Sequence, residues 1–150
     1  MDFNFKAMQD EIMHPQDVTD MFSAEDIQSN KWAAAVATIQ PLFFIPIIAT
    51  PESGFGKFYA NQGLMLLILN VALSLVGGIL GGLLGLLGSL LAMIPYIGAV
   101  FALIFGFLAG VVGLVAGAVS IAAFVFLLVS ALQGKARYIP VVGKLFTAFK

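Results

Sequence analysis

The chain has 150 residues, of which 61% are hydrophobic and only 10% charged, with a net charge of −1 and no cysteine. Soluble domains carry about 25% charged residues, so this composition excludes an ordinary water-soluble domain and expects a bilayer as solvent. Without cysteine there is no disulfide framework, thiol nucleophile or thiolate metal site. The charges are also segregated. Asp2, Asp10, Glu11, Asp17, Asp20, Glu25 and Asp26 stand against Lys6 in residues 1–30, whereas residues 134–150 hold Lys135, Arg137, Lys144 and Lys150 and no acid.

The start, MDFNFKAMQDE, lacks the basic region, short apolar core and small-residue cleavage site of a secretory signal, so no processing is expected. Over residues 1–14, Met1, Phe5, Met8 and Ile12 recur at helical spacing opposite Asp2, Lys6, Asp10 and Glu11, until Pro15 stops the pattern. This predicts a short amphipathic helix. Its polar face is acidic rather than basic, so a protein surface suits it as well as lipid does.

Ser23, followed by Glu25 and Asp26, has the pattern of a helix N-cap with acids in the first turn. The predicted helix runs past Trp32, an interface anchor, into the apolar segment 33–49, giving a first span over about 31–49 bent at Pro41 and Pro46. Residues 50–56 then form a loop. From Phe58 to Gly134 no charged residue occurs, and the one clear break is Ile94-Pro95-Tyr96-Ile97-Gly98, a turn signal.

A fold about that turn predicts an antiparallel hairpin with spans at about 58–94 and 98–133. Centring it between Pro95 and Tyr96 sets Ser74 opposite Gly117, Gly78 opposite Gly113, Gly81 opposite Gly110, Gly85 opposite Gly106 and Ser89 opposite Ala102. Steps of four, three, four and four keep each set on one helix face, the arrangement of a glycine zipper in lipid. Each arm would be about 50 Å long against a hydrocarbon core of about 30 Å, an excess that tilt alone does not absorb. The expected architecture is an all-α integral membrane protein: an acidic tail over 1–30, a three-span domain over 31–134, and a basic interfacial tail over 135–150. Five shorter spans are the alternative. Lys135, Arg137 and Lys144 anchor the last segment at anionic headgroups and set the C-terminus in the cytoplasm, and span parity then sets the N-terminus outside.

Two segments resemble a known family. Ser53-Gly54-Phe55-Gly56-Lys57-Phe58-Tyr59-Ala60-Asn61-Gln62-Gly63 is similar to the S-P-F-V-R-F-H-A-N-Q-G segment of small bacterial membrane proteins related to the membrane subunit of the chloroplast Tic import translocon, which include the MamF-type magnetosome proteins. Ala131-Leu132-Gln133-Gly134-Lys135-Ala136, with Pro140, Gly143 and Lys144 beyond it, resembles that family's A-L-N-G-K-A-x-x-x-P-L-I-G-K segment. The resemblance covers roughly residues 32–146. Tyr59 stands where the family has histidine, and the acidic first 30 residues lie outside it. It implies a three-span core and self-association in a bacterial inner membrane, with roles as different as protein import and crystal maturation. Kinship of fold does not carry function with it.

Catalysis needs convergent titratable groups, and no Asp, Glu, Lys, Arg, His or Cys lies between Phe58 and Gly134, so no enzyme, proton relay, cofactor or metal is expected. His14 reads as a solvated loop residue. The acids at 17–26 lack calcium-loop spacing. Gln40, Asn61, Gln62 and Asn70 are amides that need partners in or near hydrocarbon, such as carbonyls freed by Pro41 or the returning chain near Ser130, or a bound substrate. Lys57, Asn61 and Gln62 are the motif's polar residues. Nucleic acid is not an expected partner. The sequence thus favours a self-associating scaffold whose acidic tail recruits a protein. An oligomeric conduit for polypeptide or solute is the alternative, and a membrane wedge a third.

Overall fold

The computed structural model describes residues 5–145 and 147–149, and among them the chain is helical throughout, with no strand beyond an isolated bridge between Asp17 and Arg137. Helix α1 spans Phe5–Met13, α2 Ala24–Ala37, α3 Ile45–Ala49, α4 Gly54–Leu91 and α5 Gly98–Leu132. Single 3-10 turns occupy Thr19–Met21 and Leu42–Phe44. The expected amphipathic helix is present as α1. Met1 and Asp2 of its pattern lie outside the described residues, as do Phe146 and Lys150 of the basic tail.

The two long apolar helices form a hairpin, with the turn where Pro95 and Gly98 signal it. Leu91 ends α4, Tyr96 takes a left-handed φ of 70°, and the Gly98 amide donates back to the Ile94 carbonyl at 2.9 Å. Glycine is required at position 98, because a Cβ there would sit 2.7 Å from the Ala92 carbonyl carbon. Both helices are long and apolar enough to cross a membrane, and both are mostly exposed.

Packing separates two compact units. One holds the described residues up to Leu69 and from Ala122 onward, here called the head; the other is Asn70–Ile121, here called the arms. In the head, Phe55, Phe58, Tyr59 and Leu66 of α4 pack with Leu127 and Ala131 of α5, with Ile27, Ala34 and Ala37 of α2, and with Ala136 and Ile139 of the tail. Phe22, Phe55, Phe58, Tyr59 and Tyr138 form a chain of ring contacts at centroid separations of 5.1 to 5.9 Å.

The arms meet along a narrow seam: Leu73, Gly77, Gly81, Leu84 and Gly88 on α4, and Ala102, Phe105, Ala109, Val112, Ala116 and Ser120 on α5, are at least half-buried. Spacings of three and four make this the seam of an antiparallel pair. Its closest approaches fall at Gly88, where a Cβ would stand 3.0 Å from the Phe105 Cβ, and at Gly77, 4.0 Å from the Ala116 Cβ. Both pairs centre between Tyr96 and Ile97, one residue beyond the expected centre. The zipper contacts expected from Gly78, Gly81 and Gly85 to Gly113, Gly110 and Gly106 are therefore not made: a Cβ at any of these six, or at Gly117, would meet nothing within 4 Å. The physical reason is filling. Glycine against glycine leaves a void, whereas glycine against Phe105 or Ala116 accepts a side chain into the gap and gains its dispersion contacts.

Residues 31–49 do not form one helix. α2 stops at Ala37, the chain turns through Thr38–Pro41, and only a 3-10 turn and the five-residue α3 follow. Pro41 and Pro46 lack the amide hydrogens that a continuous helix needs at those positions. The described chain thus has two helices fit to span a bilayer, not three.

Candidate functional site

The two motif segments converge in the head. Gln62, on α4 and 1% exposed, accepts from the Ile139 amide and donates to the Gly143 carbonyl, both at 3.0 Å. Asn61, one residue earlier, accepts from the amides of Ala148 and Phe149 at 2.8 and 2.9 Å and donates to the carbonyls of Phe149 and Lys57 at 2.8 and 3.1 Å. Two adjacent side-chain amides thus hold the C-terminal segment as a strap against the start of α4. The sequence expects their partners near Pro41 or Ser130; the structure supplies the tail's own backbone.

The strap needs a sharp bend, and Ile139-Pro140-Val141-Val142-Gly143 makes it, with Val141 at a φ of 71° and the Gly143 amide donating to the Ile139 carbonyl at 2.9 Å. A Cβ at Gly143 would lie 2.6 Å from Gln62 Oε1, so this motif glycine is the one that lets the amide reach the backbone. Gly134, at a φ of 69°, lets the chain leave α5 against Ile27 and Lys31. The Tyr59 phenol donates to the Lys135 carbonyl at 2.6 Å.

The opposite charges of the two tails meet each other. Arg137 pairs with Asp17 at 3.1 Å, Lys144 with Glu11 at 3.1 Å, and between them the Val18 amide donates to the Ala136 carbonyl at 2.8 Å and the Tyr138 amide to the Gln16 carbonyl at 3.2 Å. These contacts tie the two tails together within the head. Hydrogen bonds from the Thr19 side chain and amide, with the charge of Arg137, hold the Asp17 carboxyl below its ordinary range despite some desolvation. Asp26 is also lowered: burial pushes it up, but hydrogen bonds from Ser53, the Phe55 amide and Asn30 outweigh this. As the sequence predicts, Ser23 caps α2, accepting from the Asp26 amide at 3.1 Å.

Of the expected site residues, Asn61 and Gln62 bond the backbone of the C-terminal segment that carries Arg137 and Lys144, Lys57 contributes its carbonyl to Asn61, and Lys135 its carbonyl to Tyr59. Ser74, Gly78, Gly113 and Gly117 line a shallow groove of about 380 Å³ on one side of the arm seam. Ser89 turns its hydroxyl back to the Gly85 carbonyl at 2.8 Å, and Ala102 lies beside Gly88. Sequence reasoning did not find Asp17 and Tyr59 as organising residues and placed Asp26 only as a first-turn acid of α2; Asp17 stood out only as charge, and Tyr59 only as a departure. Among the described residues, no group of three or more His, Cys, Asp or Glu side chains is placed to hold a metal ion.

No family model, curated protein or solved structure matches the chain.

Proposed function

We propose that the chain is a non-enzymatic assembly component of a bacterial inner membrane. Its hairpin anchors the head, its glycine face packs on the same face of a second copy, and both tails lie in the cytoplasm. The observation that carries this is the one-sided hairpin. The arm seam leaves Gly78, Gly85, Gly106, Gly110, Gly113 and Gly117 with open space before them, whereas the other side presents Val76, Leu80, Val111, Val115 and Val119. In lipid, where apolar burial drives no association, close backbone approach over such small residues is what joins helices. Leu83, Phe107 and Leu114, more than half exposed, then face acyl chains.

Sidedness follows from the basic residues: Lys31, Lys57, Lys135, Arg137 and Lys144 all belong to the head and none to the arms, and such residues stay cytoplasmic. Membership of the Tic-like family accords with the way both motif segments, glycines included, serve one interlocked head. The test is self-association in phosphatidylglycerol and phosphatidylcholine vesicles, followed by energy transfer between labelled copies. Gly85→Leu and Gly113→Leu are expected to abolish transfer while leaving helix content unchanged. Transfer that persists in both variants, or is absent in the wild type, overturns the proposal.

A further inference from the structure

We infer that residues 32–51 are a re-entrant element: α2, its 3-10 turn and α3 dip into the leaflet on the cytoplasmic side and return to that side, with lipid hydrocarbon covering their tip. This rests on the membrane placement of the hairpin proposed above and adds a second, shallower lipid contact to it.

The segment is uncharged from Trp32 to Pro51, yet its two ends meet. Asp26, in the first turn of α2, accepts from the Phe55 amide at 2.9 Å, and Ser23, Asp26, Glu52 and Ser53 border one polar recess. A segment that crossed the bilayer would hold those ends about 30 Å apart. The far end of α2 lies farther along α4: a Cβ added at Gly63 would collide with the Ala37 carbonyl and approach the Phe43 Cβ to 2.8 Å. α2 therefore runs beside α4 from Phe55 to Gly63, in the same chain direction. From Trp32 to Ala37 the rise is about 8 Å, which stays within one leaflet of a hydrocarbon core.

One side of the element is packed and the other is open. Ala33, Ala34, Ala37 and Thr38 are fully buried, whereas Ile39, Phe44 and Ile48 are 45%, 42% and 74% exposed. Irregular backbone at membrane depth needs its polar groups satisfied within the protein. Here the amides of Thr38, Ile39 and Leu42 donate to the carbonyls of Ala35, Val36 and Ile39, and the hydroxyls of Thr38 and Thr50 donate to the carbonyls of Ala35 and Pro46. Trp32, the protein's one tryptophan, is half-exposed where the uncharged run begins, the level that an indole takes at a membrane interface.

The cysteine-free chain allows single reporters, read with an impermeant maleimide on sealed membrane vesicles of both orientations. Glu25→Cys and Glu52→Cys are expected to label from the same face as Thr147→Cys, and Leu83→Cys from neither. In vesicles of brominated phosphatidylcholine, Trp32 and, in a Trp32→Phe background, Phe44→Trp are expected to be quenched, the latter more strongly by deeper bromines. Glu25 and Glu52 labelling from opposite faces would establish a third span and overturn the inference. An unquenched Phe44→Trp with Leu83→Cys still protected overturns it while leaving the hairpin reading intact; aqueous labelling of Leu83→Cys overturns both.

Discussion

Gln62→Leu tests whether the amide latch holds the C-terminal strap. The substitution is close in volume, so its cost falls on the polar partners: the Ile139 amide loses its acceptor and the Gly143 carbonyl its donor, both inside the head. A buried polar group left unpaired costs about 1–3 kcal/mol, so the two together are worth roughly 2–6 kcal/mol. At the lower limit the strap's open population rises about 30-fold. Lys144 lies in the strap, so limited trypsin digestion in mild detergent reads that population directly when opening is fast relative to cleavage. The expected result is cleavage after Lys144 accelerated by about 30-fold or more, with helix content retained because the hairpin does not depend on the latch. Unchanged cleavage would refute the reasoning, and Gln62→Glu tests the Gly143 contact alone. It keeps an acceptor for the Ile139 amide but sets a carboxylate oxygen against the Gly143 carbonyl, so it should also release the strap.

Gly63→Ala forces a methyl group against the Ala37 carbonyl and Phe43, and overpacking of this kind costs about 1–3 kcal/mol, read as a lowered thermal midpoint of the purified protein. Gly88→Leu is expected to separate the arms, whereas Gly85→Leu is not, because only position 88 has a neighbour, Phe105, in the way; cross-linking of cysteines placed at Gly77 and Ala116 reads the difference. Acid should loosen the head. Asp17 and Asp26 are both held below the ordinary value of 3.8, so their stabilisation is complete above that value and is lost as pH falls through the lowered values. Unfolding midpoints should therefore be flat above about pH 5 and fall steeply in stronger acid, with a shallower fall in Asp17→Asn and Asp26→Asn, which cannot ionise.

What was legible in the sequence is what lipid and helix ends impose locally. The charge-free run between Lys57 and Lys135, the break at Pro95 and Gly98 and the cap at Ser23 all carry their signal within a few residues. The arm register was legible only to within one residue. Matching small residue to small residue ignores the void this leaves, and a shift of one position turns a helix by about 100°, enough to swing Gly110 and Gly113 off the seam. Residues 31–49 do not form the single helix expected; hydropathy does not distinguish residues that face lipid from those that pack on protein. Ala33, Ala34 and Ala37 are apolar because α2 lies hard against α4, and the available signal was the three small residues with Gly63 and the two prolines downstream. For Asn61 and Gln62 the need for partners was legible, but choosing among carbonyls required the bend at Pro140–Gly143.

The excess length of the arms, which the sequence poses as a puzzle, is resolved by where packing changes. The first part of α4, from Gly54 to Leu69, and the last part of α5, from Ala122 to Leu132, belong to the head and are covered by α2 and the tail. What remains as exposed arm is Asn70–Leu91 and Gly98–Ile121, about 33 Å and 36 Å at 1.5 Å per residue, which matches a hydrocarbon core of about 30 Å with modest tilt. The first turns of α4 bury Phe55, Tyr59 and Leu66 against protein and carry Asn61 and Gln62, which grip the tail, while its later turns are exposed and rich in glycine and leucine.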